Sequence, residues 1–449
     1  MCQSSDGIHT KTLLRLRVIV FLDFLGVAAV VPLLSSYFRA LNVSVELFGL
    51  VTSAYSAAQI VGGVCLGALS DRVFSRRSML LLSFAGSCIS YGLIGLSSSL
   101  GLLLTSRIIV GLVKQTMTIS TALISDHSEG TDRAKQLSQL SAAASFSFIV
   151  GPTIGSFLYK HNMMFPPLFS AAIFLLNSLL TLVLLPSERG VKEHAGDLKP
   201  QLKLDGFWTN LKFTCTRRPC LAIVLARLMH GFLFRSMAPQ IFVGYMEERW
   251  KVESHVLGYM SSYTAVVGLL VQVYVVGRIL DKASEKKLVP LAIAGKAISG
   301  LMEAWLPFGL PFHLSVTLPL SVTCGSMLMT LLSSIFLKRV HKDDVGAALG
   351  ALNVMQSVVG ILGPLYGGLL FKHMGVLKRP LASGVHYALF LLLWVGLEQW
   401  CAGDKTCTEE EGGDELAPAD ADALNERVQV CTLAATMPPM KAFHESAWQ

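Results

Sequence analysis

The sequence predicts an all-α membrane protein of twelve transmembrane helices in two six-helix pseudo-repeats. Composition is the first observation. Of 449 residues, 52% are hydrophobic and only 15% are Asp, Glu, Lys or Arg, whereas a typical soluble domain carries about 25% charged residues. Continuity is the second. Leu47–Ser70, Met79–Ser106, Gln136–Tyr159, His161–Ser187, Ser254–Gly277, Ala304–Leu337 and Val345–Phe371 contain none of those four residue types. About 20 apolar residues suffice to cross the hydrocarbon core as a helix. Repetition is the third. Gly67-Ala-Leu-Ser-Asp71-Arg72 returns as Gly277-Arg-Ile-Leu-Asp281-Lys282, and Gly151-Pro152-Thr-Ile-Gly155 as Gly363-Pro364-Leu-Tyr-Gly367. The two offsets, 210 and 212 residues, nearly agree.

The expected spans are 17–38, 47–70, 79–98, 101–125, 137–159 and 165–186, then 221–245, 256–279, 288–308, 313–337, 346–371 and 381–400. The first holds Asp23 and Pro32 within an apolar run and reads as a signal-anchor rather than a cleaved leader. The fourth keeps Arg107 and Lys114, and the seventh Arg227 and Arg235. The uncharged run Ala304–Leu337 is too long for one helix, and Pro307, Gly309 and Pro311 put a turn near its start. The domains are therefore 1–186, an N-terminal bundle; 187–220, a polar, basic linker; 221–400, a C-terminal bundle; and 401–449, a disordered tail, acidic at Glu409–Glu411.

Lys and Arg set the orientation. With the N-terminus inside, inner segments hold 25 of the 37, outer loops 7 and spans 5. Both termini and the linker are thus expected in the cytosol. The net charge of +7 is spread through short loops, which excludes a nucleic-acid surface and leaves the lipid bilayer as the partner. None of the nine cysteines pairs within an outer loop, so free thiols are expected. Asn42-Val-Ser44 is a glycosylation sequon close to the membrane. No GxxxxGK[ST] loop, HExxH or paired CxxC is present. No enzyme activity, metal or cofactor is expected, and any energy input comes from an ion gradient rather than ATP. The chain is expected to act as a monomer.

Two repeats of like orientation place a solute site between them near mid-membrane. Asp23-Phe-Leu-Gly26 followed by Pro32, Arg107-Ile-Ile-Val-Gly111 and Gly151-Pro152-Thr-Ile-Gly155 resemble the first-, fourth- and fifth-span motifs of the tetracycline-efflux-like, twelve-helix drug:proton antiporters of the major facilitator superfamily. The resemblance covers roughly residues 15–400. It implies alternating access, with Gly67, Asp71, Arg72, Gly151, Pro152, Gly155, Gly363 and Pro364 as gating positions. One departure stands out: the family's Asp-Arg-x-Gly-Arg-Arg loop here reads Asp71-Arg72-Val-Phe-Ser-Arg76-Arg77, lacking the glycine and gaining a residue.

Charges within spans cost about 2.5–3.5 kcal/mol each at a helix centre, so they are the candidate functional groups. Asp23, tuned by Lys114 or Arg107, is the candidate proton-coupling carboxylate. Arg107, Gly111, Lys114 and Thr118 share a face if 101–125 is one continuous helix. At ~1.5 Å per residue, Lys114 rather than Arg107 is nearer in depth to Asp23. Arg107, Lys114, Gln59, Arg235, Gln272, Asn353 and Gln356 are the candidate substrate contacts. Glu303, near the end of its span, is expected at the interface. In-span cations, Arg107, Lys114, Arg227, Arg235 and Lys296, outnumber the one deep acid, Asp23. A positive cleft concentrates anions. The expectation is therefore a secondary active, proton-coupled transporter of small organic solutes that leans to organic anions. The alternatives are an uncoupled facilitator, or a membrane scaffold or receptor that kept the fold.

Overall fold

A computed structural model describes residues 3–72, 75–97, 99–128, 130–185, 218–237, 239–280, 284–306, 309–338 and 345–402. Most of the linker, 187–217, and the tail from 403 fall outside them. The described residues form helices and short connections. In order they are α1 (Gln3–Val30), α2 (Leu34–Ala40), α3 (Val45–Arg72), α4 (Arg76–Gly95), α5 (Leu100–Val113), α6 (Thr116–His127), α7 (Gly130–His161) and α8 (Phe165–Leu184). The second half continues with α9 (Arg218–Ser236), α10 (Pro239–Trp250), α11 (Ser254–Leu270), α12 (Gly277–Leu280), α13 (Glu285–Trp305), α14 (Leu310–Phe312), α15 (Leu318–Lys338), α16 (Val345–Met374) and α17 (Arg379–Ala402). Among the described residues, eleven stretches are long and apolar enough to cross a bilayer, beginning with Thr12–Ala40 and ending with Val376–Trp400. The expected seventh span falls on α9 and α10, broken after Ser236 instead of running on to 245. The chain is an integral, multi-pass membrane protein of the twelve-helix type.

The helices are inverted relative to those of a soluble protein. On α4, Ser83, Ser87 and Ser90 are buried while Leu82 and Ile89 are exposed. On α8, Ser170, Asn177 and Thr181 are buried while Leu175, Leu179 and Val183 are exposed. Lipid is as apolar as leucine, so small and polar side chains gain more by facing neighbouring helices. Their hydrogen bonds bear this out. Ser170 Oγ donates to Gly26 O at 2.7 Å, Asn177 Nδ2 to Ile19 O at 2.9 Å and Ser90 Oγ to Ser106 O at 2.7 Å.

The chain divides into two compact units, one of 1–200, 239–265 and 364–372, the other of 201–238, 266–363 and 373–449. In the first unit, α1 packs on α7 and α8, α4 on α5 and α8, and α3 on α5. Phe38, Phe84, Tyr91 and Phe174 anchor its core. In the second, α13 packs on α15 and α17, and α9 on the same two helices, around Leu328, Leu331, Tyr387 and Phe390.

Gly151 and Gly155 bring α7 against α1. A Cβ on Gly151 would sit 2.6 Å from Ala28 Cβ, and one on Gly155 would strike the Ala29 carbonyl. Gly155→Leu is expected to destabilise the unit by about 1–3 kcal/mol or more through overpacking, read as a lowered melting temperature and yield. Wild-type stability in that variant would mean that α7 does not need this contact. Pro152 and Pro364 lie inside helices α7 and α16, and Gly363 meets Arg235 within the second unit. Gly67, Asp71 and Arg72 lie on the last turns of α3, but their side chains fall outside the described residues. The free cysteines among the described residues are Cys65, Cys88, Cys220 and Cys324.

Candidate functional site

The first unit contains a partly open cavity of about 360 Å³. Apolar and aromatic groups such as Phe24, Val27 and Phe48 make most of its wall, and Tyr55, Gln59, Arg107, Lys114, Gln115 and Thr118 supply polar atoms. A pocket of this size that is mostly apolar with a few converging polar groups suits a small organic molecule.

The fourth expected span is not one helix. Helix α5 stops at Val113, Lys114 and Gln115 are non-helical, and α6 begins at Thr116. Lys114 has φ −75° and ψ 83°. The break is supported from α3, where Gln115 Nε2 donates to Gln59 O at 3.2 Å. Gly62 lets the Leu112 backbone approach, and Gly63 lies beside the Gln115 amide. The single helical face expected for Arg107, Gly111, Lys114 and Thr118 therefore does not exist. Gly111 packs on Tyr55 and Ala58 of α3, while Arg107, Lys114 and Thr118 still reach the cavity wall.

Lys114 forms an ion pair with Asp23 Oδ1. Asp23 is fully buried, and the Lys114 ammonium lies 4.6 Å above the Phe174 ring. Asp23 Oδ2 accepts no hydrogen bond among the described residues. Arg107 stands apart from this pair. It is 6% exposed, its guanidinium lies 5.3 Å from the Tyr91 ring centroid, and its Nη2 has no hydrogen-bond partner among the described residues. Its Nε makes a long hydrogen bond to Ser106 Oγ at 3.5 Å, its guanidinium also interacts with the Tyr91 side chain, and no ion pair joins it to a described carboxylate. The cavity thus holds one neutralised cation and one that is not.

The candidates in the second unit divide differently. Gln356 Nε2 donates to Arg227 O at 3.1 Å, tying α16 to α9. Arg227 is buried and donates to Met329 O at 3.2 Å and to Ser333 Oγ; it braces α9 against α15. Lys296 Nζ donates to Ser321 Oγ at 2.8 Å and lies over the Tyr387 ring. Arg235 and Asn353 are exposed, and Gln272 is half-buried in a π-helical turn, Val271–Val276. Glu303 is 12% exposed at its side chain, and its Oε2 lies 3.1 Å from His313 Nδ1.

Sequence reasoning missed Tyr55, Tyr91 and Gln115. Tyr55 and Gln59 stand one turn apart on α3, a spacing that could have marked Tyr55. Gln115 carried no such mark, because its role depends on the helix break.

The profile of the Major Facilitator Superfamily matches residues 17–364. The Tetracycline resistance protein, class C, of Escherichia coli is 27% identical over 396 residues, covering 87% of this chain and 97% of that protein. Multidrug resistance protein 2 of Bacillus subtilis is 25% identical over 358 residues, covering 78% and 86%. The crystal structure of the nucleoside transporter NupG superposes with a TM-score of 0.67 at 16% identity, covering 86% of this chain and 98% of that one. The family match spans most of the chain and both kinds of relative span nearly their own full length, so the chain belongs to the Major Facilitator Superfamily and is a membrane transporter rather than an enzyme.

Proposed function

We propose that this transporter carries small organic anions, couples their movement to protons through Asp23, and works by alternating access. The observation that carries the reading is Arg107, a buried cation on the cavity wall with an unpartnered Nη2 and no acidic partner among the described residues. A guanidinium presents a planar fork that matches a carboxylate. Lys114 is already neutralised by Asp23, so the local field of the cavity is set by Arg107. Phe24, Phe48 and Tyr55 offer faces to an aromatic or apolar body. Asp23 supports coupling because a carboxylate buried beside a single cation changes its proton affinity whenever that cation moves.

The test is a binding competition on purified protein between aromatic carboxylates, with phthalate as probe, and quaternary ammonium ions, with benzyltrimethylammonium as probe. Phthalate is expected to bind and to be displaced by other carboxylates. Binding of the ammonium ion without phthalate would refute the anion reading. An uncoupled facilitator would differ in another assay: it would equilibrate phthalate across a vesicle membrane but never concentrate it.

A further inference from the structure

Three helices of the first unit meet at one edge of the membrane. The spans Thr12–Ala40 on α1 and Arg76–Gly95 on α4 begin there, and Phe165–Leu184 on α8 ends there. Two arginines reach the C-terminus of α8 from these neighbours. Arg15 Nη1 donates to Leu184 O at 3.1 Å, and Arg77 Nη2 donates to Leu182 O. The two carbonyls are two residues, about 3 Å of helical rise, apart. Capping explains part of this, because a helix leaves its last carbonyls unpaired and carries about half a negative charge at that end. Most of the charge of two guanidinium groups is left over. No ion pair joins Arg15 or Arg77 to a described carboxylate, and Arg77 Nε is buried without a hydrogen-bond partner among the described residues. Asp132 of α7 is engaged elsewhere, by Gln136 Nε2 at 3.2 Å and by the Arg17 charge. A guanidinium has five N–H donors, and one carbonyl uses one of them. The adjoining surface is apolar. Leu175, Leu179 and Leu182 are exposed along one face of α8, and Val18, one turn from Arg15, is exposed on α1.

We propose that Arg15 and Arg77 bind the phosphate of an anionic phospholipid whose acyl chain lies along Leu175, Leu179 and Leu182 of α8, at a site separate from the Arg107 cavity. Guanidinium groups pair with phosphate oxygens in a bidentate fork, stronger than a neutral hydrogen bond. A zwitterionic headgroup brings its own cation to the same point, so a headgroup with negative charge alone is preferred. On the orientation expected from the Lys and Arg bias, this edge faces the cytosolic leaflet, where anionic lipids concentrate. A soluble phosphate would gain the charge but leave the leucine stripe uncovered, which makes a lipid the occupant. Bound there, it ties the ends of α1, α4 and α8 together.

The test mixes the purified full-length protein in detergent with phosphatidylglycerol or with phosphatidylcholine of the same acyl chains. Native mass spectrometry counts the retained lipid, and the melting temperature is read alongside. The wild type is expected to retain phosphatidylglycerol in preference and to gain several degrees from it alone. Arg15→Gln and Arg77→Gln are each expected to weaken its binding roughly fivefold, and the double variant to lose the preference. Arginines that only cap α8 would lower the melting temperature equally in both lipids and leave the preference intact. A preference retained in the double variant would overturn the proposal, as would equal stabilisation of the wild type by glycerol phosphate, which carries the charge without the chains. Should the variants not fold, a phosphatidylglycerol with a photoreactive diazirine in its acyl chain locates the site on the wild type. Adducts within 175–184 are expected, and adducts confined to other helices would equally overturn the site.

Discussion

Asp23→Asn is expected to abolish gradient-driven accumulation while leaving substrate binding within a few-fold of wild type. The carboxylate is fully buried and its one recorded ionic partner is Lys114. Asparagine keeps the shape and cannot exchange a proton. Its cost in stability is separable from its cost in function. Breaking a buried pair by removing one partner costs about 3–5 kcal/mol, whereas replacing both partners by neutral groups is often close to neutral. The double variant Asp23→Asn with Lys114→Met is therefore expected to recover most of the melting temperature lost in Asp23→Asn and none of the accumulation. Measuring both quantities on the same preparations separates the two effects. Uphill transport undiminished in Asp23→Asn would remove that residue from the mechanism.

Arg107→Gln is expected to weaken binding of aromatic carboxylates by roughly 10- to 100-fold. A hydrogen bond to a charged group is worth about 1.5–3 kcal/mol, and about 1.4 kcal/mol is a factor of ten. A neutral amide analogue of the same ligand should lose far less. Folding should be little harmed, since the guanidinium is not held by an ion pair to a described residue and rests mainly on the Tyr91 ring. The informative quantity is the ratio of the two losses. Equal weakening of the carboxylate and its amide would mean that Arg107 shapes the wall rather than binding the charge.

Much of this arrangement was legible in the sequence, for a physical reason. A charged side chain inside an apolar run is costly enough to stand out, so Asp23, Arg107 and Lys114 could be singled out. Helical rise alone brought Lys114 to the depth of Asp23. What could not be read was how backbone breaks redirect side chains. Nothing between Val113 and Thr116 is Gly or Pro, and the interruption at Lys114–Gln115 is supported by the Gln59 carbonyl on another helix. The same holds for Glu303: its burial against His313 depends on the π turn that follows α13, which its sequence position does not announce. Gln356 looked like a ligand contact because its type is polar. Its partner, Arg227 O, is a backbone group of a neighbouring helix.

The most direct test of the central claim is phthalate accumulation in proteoliposomes, with a pH gradient of either sign and with none. The account predicts accumulation above equilibrium for one sign of the gradient only, equilibration at most without it, inhibition by other aromatic carboxylates and loss of accumulation in Asp23→Asn. Inhibition or transport of benzyltrimethylammonium, with no movement of phthalate under either gradient, would contradict it.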